Sequence, residues 1–277
     1  MVSPRRSSLK STSLVSALPR PLDFTYPSNR WAAAGLGLGL LAARALGHSW
    51  PASLRIGLGT FTSWAIAREL DPDYSQTALV AMPLAFVASL GRPADAAKQP
   101  EGLSSLRHAL PGFVALSSTR ALVATVGPAP SAQDAAALGV QAAVTALSSG
   151  SVTSLLPGAA LAWSSQARDR FSAPPLSGLE VLAAGAVPSA GRSAGHSTLS
   201  DLLSLAALGL SRQLAAPERI DSSCDLVPDK VSDERVRAAR LLSLGTLALG
   251  LVRRETLSLA PLAAACVSIG VRRALRR

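Results

Sequence analysis

The chain has 277 residues, 48% of them hydrophobic and only 16% charged, with a net charge of +10. Soluble domains carry about 25% charged residues, so this balance argues against an ordinary soluble surface and favours helices packed in a bilayer. A nucleic-acid binder would spread its basic residues over one folded face with aromatics between them, and two cysteines are too few for a disulfide framework or a zinc site.

Residues 1–30 hold Arg5, Arg6, Lys10, Arg20 and Arg30 against Asp23 alone, among many serines and prolines. They read as a disordered basic tail, and the same composition fits an organelle transit peptide. Trp31–Trp50 is apolar, bounded by tryptophans that favour the membrane–water interface, and long enough to span a bilayer core. Arg44 lies near one end of it, placed to snorkel outward. Pro51 marks a turn, and Ser53–Ala67 completes a helical hairpin. Tyr74–Gly91 is uncharged and carries Met82-Pro83, which predicts a second span with a kink.

A hydrophilic loop follows at 92–108. Leu110–Val126 is apolar but has Arg120 in its middle. Residues 135–167 are uncharged, and the break at Ser148–Ser151 divides them into two short helices that need neighbours for cover. Leu199–Ala216 has a helical pattern, with Ser200-Asp201 as its expected cap. Residues 217–237 form the most hydrophilic stretch of the body and are expected in water. Segments 238–252 and 256–271 close the chain as a second apolar hairpin. Arg68-Glu69-Leu70 and Arg212-Gln213-Leu214 each end an apolar segment, a weak sign of internal duplication. Sustained alternation and tight hairpin turns are lacking, which argues against strands.

One polar constellation stands out, Arg68-Glu69-Leu70-Asp71-Pro72-Asp73. Its three carboxylates suit a divalent cation held through oxygen. They equally suit a solvated helix end, with Asp71-Pro72 stopping the helix, and no metal is assigned. Arg120 is the other candidate. A charge at bilayer depth costs roughly 2.5–3.5 kcal/mol on insertion scales, so it needs an acid from another helix or it counts against a membrane. Arg68, Glu69, Asp71, Asp73 and Arg120 are therefore the expected ligand-binding residues. His48, His108 and His196 have no metal-ligand spacing, and no cofactor or catalytic motif is evident.

The resulting expectation is an all-α fold, a polytopic membrane bundle of about 6–10 short apolar helices formed by residues 31–277. Residues 253–277 carry Arg253, Arg254, Arg272, Arg273, Arg276 and Arg277 against Glu255 alone. Basic ends around a near-neutral body place both termini on the cytoplasmic side and offer contacts to anionic lipids, with no nucleic-acid partner. The expected location is a bacterial cell membrane, or an organelle membrane if residues 1–30 are a transit peptide. The expected role is structural or partner-binding. A transporter-like or lipid-modifying protein and a soluble helical bundle or repeat protein remain as alternatives.

Overall fold

Prolines and small residues set the helix boundaries. A computed structural model describes residues 16–20, 22–91, 109–149, 152–188 and 195–276, and the loop at 92–108 lies outside them. The helices are α1 (Pro27–Ala45), α2 (Trp50–Leu70), α3 (Ser75–Ser89), α4 (Leu110–Val123), α5 (Ala132–Ser149), α6 (Leu156–Gln166, after a 3₁₀ turn at Val152–Leu155), α7 (Ser177–Gly185), α8 (Thr198–Gly209), the short α9 (Ser211–Ala215), α10 (Asp233–Arg253) and α11 (Thr256–Leu275). Among the described residues the only β pairing is an isolated bridge between Ser223 and Lys230. The fold is all-α, as expected.

Prolines open α1, α2, α4 and α6 within their first two positions. There the missing N–H costs nothing and φ is already helical. This corrects the span Trp31–Trp50. Pro51 makes Trp50 the first residue of α2, and α1 stops at Ala45, so the two tryptophans belong to different helices. Ser197 and Ser200 form a capping box on α8, three residues ahead of the expected cap. Ser232 caps α10, whose first turn holds Asp233 and Glu234, signs that suit the positive end of the helix dipole.

Close approaches fix the direction of each helix. Gly59 lies near Ser89 and also near Pro261, while Gly112 lies near Thr62. Arg120 meets Glu69, and Arg272 meets Asp71. So α2, α4 and α11 run in one direction and α3 runs against them. Gly158 of α6 lies against Leu182 of α7, and Gly178 of α7 against Ala162 of α6, an antiparallel pair. A Cβ on Gly158 would sit 2.5 Å from the Leu182 backbone nitrogen, and one on Gly57 would sit 2.7 Å from the Leu36 carbonyl oxygen. Glycine at these positions lets backbones touch, the packing used where small residues rather than large ones line interfaces. Arg20 at the start of the described chain and Arg272 near its end lie at one end of the bundle, near Glu69 and Asp71 respectively.

The interior mixes Leu, Ile and Val with small and hydroxylated residues. Every residue from Thr256 to Gly270 of α11 is buried. Buried hydroxyls donate to carbonyls of their own helix: Thr60 to Ile56 at 2.9 Å, Ser118 to Val114 at 2.6 Å, Ser204 to Ser200 at 2.8 Å and Ser243 to Ala239 at 2.7 Å. That satisfies each oxygen without a partner from another helix.

Other large apolar side chains point outward. Trp31, Leu38 and Leu41 on α1, Val80 and Val87 on α3, Val140, Val144 and Leu147 on α5, and Leu199, Leu202 and Leu205 on α8 are all exposed. Their spacings of three, four and seven place them in stripes. Among the described residues, every fully exposed charge on a helix sits in its first two turns or its last: Arg30, Glu180, Arg212, Asp233, Glu234, Arg237 and Arg253. The middles of the outer helices therefore present an uncharged apolar belt.

Among the described residues one helix is both long and apolar enough to cross a bilayer, Thr256–Leu275, and it is 83% buried within the bundle. Ser75–Ser89 and Leu110–Val123 are shorter apolar helices. The expected whole span Tyr74–Gly91 is thus reduced to 15 residues, because Tyr74 is the N-cap and Leu90 the C-cap.

Candidate functional site

Asp71 and Pro72 stop α2, and the chain re-enters a helix at Ser75. In that short turn each carboxylate of the 68–73 segment faces a different partner.

Glu69 is 1% exposed and accepts from Arg120 of α4 at 2.8 and 2.7 Å. The Thr125 hydroxyl donates to its other oxygen, and Arg20 lies 3.8 Å away. Arg120 also donates to the Leu18 carbonyl at 2.7 Å. Arg120 thus has the acid from another helix that its position demanded. The pair also fastens residues 16–20, where Ala17 N–H and the Ser16 hydroxyl bind Asp134 of α5. This part of the expected disordered tail is packed against the bundle.

Asp71, fully buried, accepts from Thr77 at 2.6 Å, from Arg272 at 2.9 Å and more weakly from Arg240 at 3.4 Å. Arg240, itself 1% exposed, donates to the Leu70 carbonyl at 2.9 Å and to Glu218 at 2.8 Å. Glu218 also takes Arg272 at 2.7 Å and Arg273. Arg272 and Arg276 stack on the Tyr74 ring at 4.1 and 4.0 Å, within cation–π reach. Asp73 accepts the backbone N–H groups of Asp221 and Ser222 at 3.0 and 2.8 Å, holding the 217–232 loop against α3.

Asp71-Pro72 stops the helix as expected, but the surroundings of the carboxylates differ from both readings. The carboxylates diverge, and among the described residues no group of three His, Cys, Asp or Glu side chains is placed to hold a metal. Nor is this a solvated helix end, because Arg120, Arg240 and Arg272 reach it from three other helices. The 217–237 stretch is likewise only partly in water. Glu218 is drawn into the arginines, and Arg235, 2% exposed, pairs with Asp169 at 2.7 Å while donating to the Leu122 carbonyl.

Burial opposes ionisation of Glu218, but the hydrogen bonds and charges of Arg272 and Arg240 more than offset it and hold the carboxyl at about 2. The folded value lies below the unfolded one of 4.5. Its stabilisation is therefore complete above the unfolded value and is lost as pH falls through the folded one. Thermal unfolding between pH 6 and pH 3 is expected to show a loss of a few kcal/mol. Glu218→Gln should be less stable at pH 6 and show a flatter profile.

Arg68 differs from its neighbours. It makes no hydrogen bond or ion pair with any described residue, and it lines a cavity of about 650 Å³. Arg20, Glu69, Arg120 and Asp225 line the same cavity, beside Phe61 and Trp64 of α2. Arg20 spans Glu69 and Asp225, the latter at 2.7 Å. Burial pushes the Asp225 carboxyl above its ordinary value, and Arg20 offsets part of that. The partners Arg20, Thr125, Glu218, Asp225, Arg240 and Arg272 are not singled out in the sequence. Their separations from residues 68–71 run from tens to two hundred positions, and most sit in stretches whose composition looks solvated.

No family model matches the chain, and no curated protein or solved structure matches it. The site therefore stands on its own geometry. It consists of two buried ion networks that lock the ends of α2, α4, α10 and α11, and one arginine, without an ion pair among the described residues, beside an aromatic-walled cavity.

Proposed function

We propose that this chain is an integral membrane protein with a structural or partner-binding role, its outer helices in lipid and its ion-paired end at the membrane surface. The observation that carries this is the uncharged belt. Extended exposed apolar surface on a monomer marks a lipid or protein contact, and here apolar stripes run along α1, α3, α5 and α8 while charges keep to the helix ends. Small residues at the helix contacts, with many Leu, Val and Trp side chains facing outward, agree with helix packing in a bilayer. Arg44 supports the same reading. It folds back to the His48 carbonyl and lies 5.0 Å from the Trp50 ring, as a charge reaching for an interface does.

Several helices are shorter than the roughly 20 residues of a full crossing, so the bundle is held as one embedded body. The first described residues and the last share the arginine-rich end, which fits the cytoplasmic side.

Alkaline carbonate extraction of membranes from cells making the full chain tests this. The protein is expected in the pellet and released only by detergent. Recovery in the carbonate supernatant would refute membrane embedding and leave a soluble helical bundle.

A further inference from the structure

The face of α2 that lines the cavity carries Phe61, Trp64, Ala65 and Arg68, the i, i+3, i+4, i+7 pattern of one helical stripe. Two hydrogen-bond donors on that stripe, one turn apart, have no acceptor. Arg68 has none among the described residues, and the indole N–H of Trp64 is buried and also unpartnered. A buried donor such as this indole left unsatisfied costs about 1–3 kcal/mol, and the half-buried Arg68 guanidinium one turn away on the same cavity wall points to an anionic acceptor for both. The carboxylates nearby are already engaged, Glu69 by Arg120 and Thr125, and Asp225 by Arg20. Phe61, Ala65, Leu116 and Leu226 give the wall an apolar part, alongside the polar Asn29, Ser222 and Ser223. Pockets of this volume that pair an apolar lining with a few convergent polar groups are ligand sites by default.

We propose that this cavity binds an anionic amphiphile. Its carboxylate or phosphate oxygens accept from the Arg68 guanidinium and the Trp64 N–H, and its hydrocarbon lies against Phe61 and Leu116. The anionic oxygen is shared by a fatty acid and a phospholipid headgroup. The assignment does not depend on the belt lying in lipid, since detergent-purified chain is the sample in either case.

The test is titration of the full-length protein in an uncharged detergent, followed by native mass spectrometry. Separate arms use oleate, dioleoyl phosphatidic acid, dioleoyl phosphatidylcholine and inorganic phosphate. Oleate or the phosphatidic acid is expected to saturate at one per chain. Arg68→Gln should weaken that binding tenfold or more with little change in the unfolding temperature of the ligand-free protein, because Arg68 makes no hydrogen bond or ion pair with the described residues. Trp64→Phe keeps the ring, loses the N–H and should weaken binding several-fold, and Arg212→Gln on exposed α9 should leave it unchanged. Which arm binds identifies carboxylate or phosphate as the group taken. Equal binding by wild type and Arg68→Gln overturns the proposal, as does saturation by neither amphiphile. Inorganic phosphate binding as tightly as the phosphatidic acid overturns the amphiphile.

Discussion

Replacing Glu69 by alanine is expected to destabilise the protein by about 3–5 kcal/mol, the cost of removing one partner from a buried ion pair. The loss is large because Glu69 serves several groups at once. Without it the Arg120 guanidinium, 12% exposed, has no carboxylate, and the Thr125 hydroxyl loses its acceptor. Arg120 also holds the Leu18 carbonyl, so the segment at residues 16–20 should loosen and become open to proteolysis. Glu69→Gln should cost less, since an amide oxygen still accepts from Thr125. The double replacement Glu69→Leu, Arg120→Met should recover most of the loss, because buried ion pairs exchanged for apolar groups of similar volume are often neutral. Denaturation of the detergent-purified variants checks this ordering.

Arg240→Ala is expected to cost a similar amount, about 3–5 kcal/mol. Arg240 joins the Leu70 carbonyl, Glu218 and Asp71, and its removal leaves a void beside two carboxylates and a carbonyl oxygen that lose a donor. Arg240→Lys should not rescue it, since an ammonium lacks the planar fork that reaches three acceptors. Arg237 provides the comparison. It is on the same helix but exposed, and among the described residues its side chain binds the Ala215 carbonyl alone. Arg237→Ala should lie within about 0.5 kcal/mol of wild type. Unfolding midpoints of the three variants, measured together, decide the matter.

The helical character of the chain was legible because nothing in it alternates and its apolar runs carry small residues at close spacing. The division of residues 135–167 at Ser148–Ser151 was legible for the same reason, and α5 and α6 lie on either side of it. The boundary at Trp50 was misplaced because composition outweighed a local rule: Pro51 opens a helix, and the residue before it belongs to that start. The site was half legible. Arg120 in an apolar run demands an acid, and Glu69 lies at a helix end, but only tertiary packing sets which acid meets which arginine across 51 positions. The hydrophilic 217–237 stretch misleads for a related reason. Charge content predicts hydration only for charges without partners, and Glu218 and Arg235 have theirs. Arg68 is the reverse case. It stands among paired residues and has no ion pair among the described residues, and nothing in the sequence separates it from Glu69 or Asp71.

The account turns on whether the apolar belt lies in lipid. Single cysteines placed at Val144, Leu202 and Leu226, in a chain with Cys224 and Cys266 replaced by serine or alanine, test it most directly. The three positions are similarly exposed, at 45%, 57% and 59%, but only Leu226 belongs to the loop at the charged end. In membranes opened to both faces, a charged, membrane-impermeant maleimide is expected to label Leu226→Cys readily. Val144→Cys and Leu202→Cys should stay unlabelled until the membrane is dissolved and the chain unfolded. Labelling of all three at the same rate in intact bilayers would contradict the account.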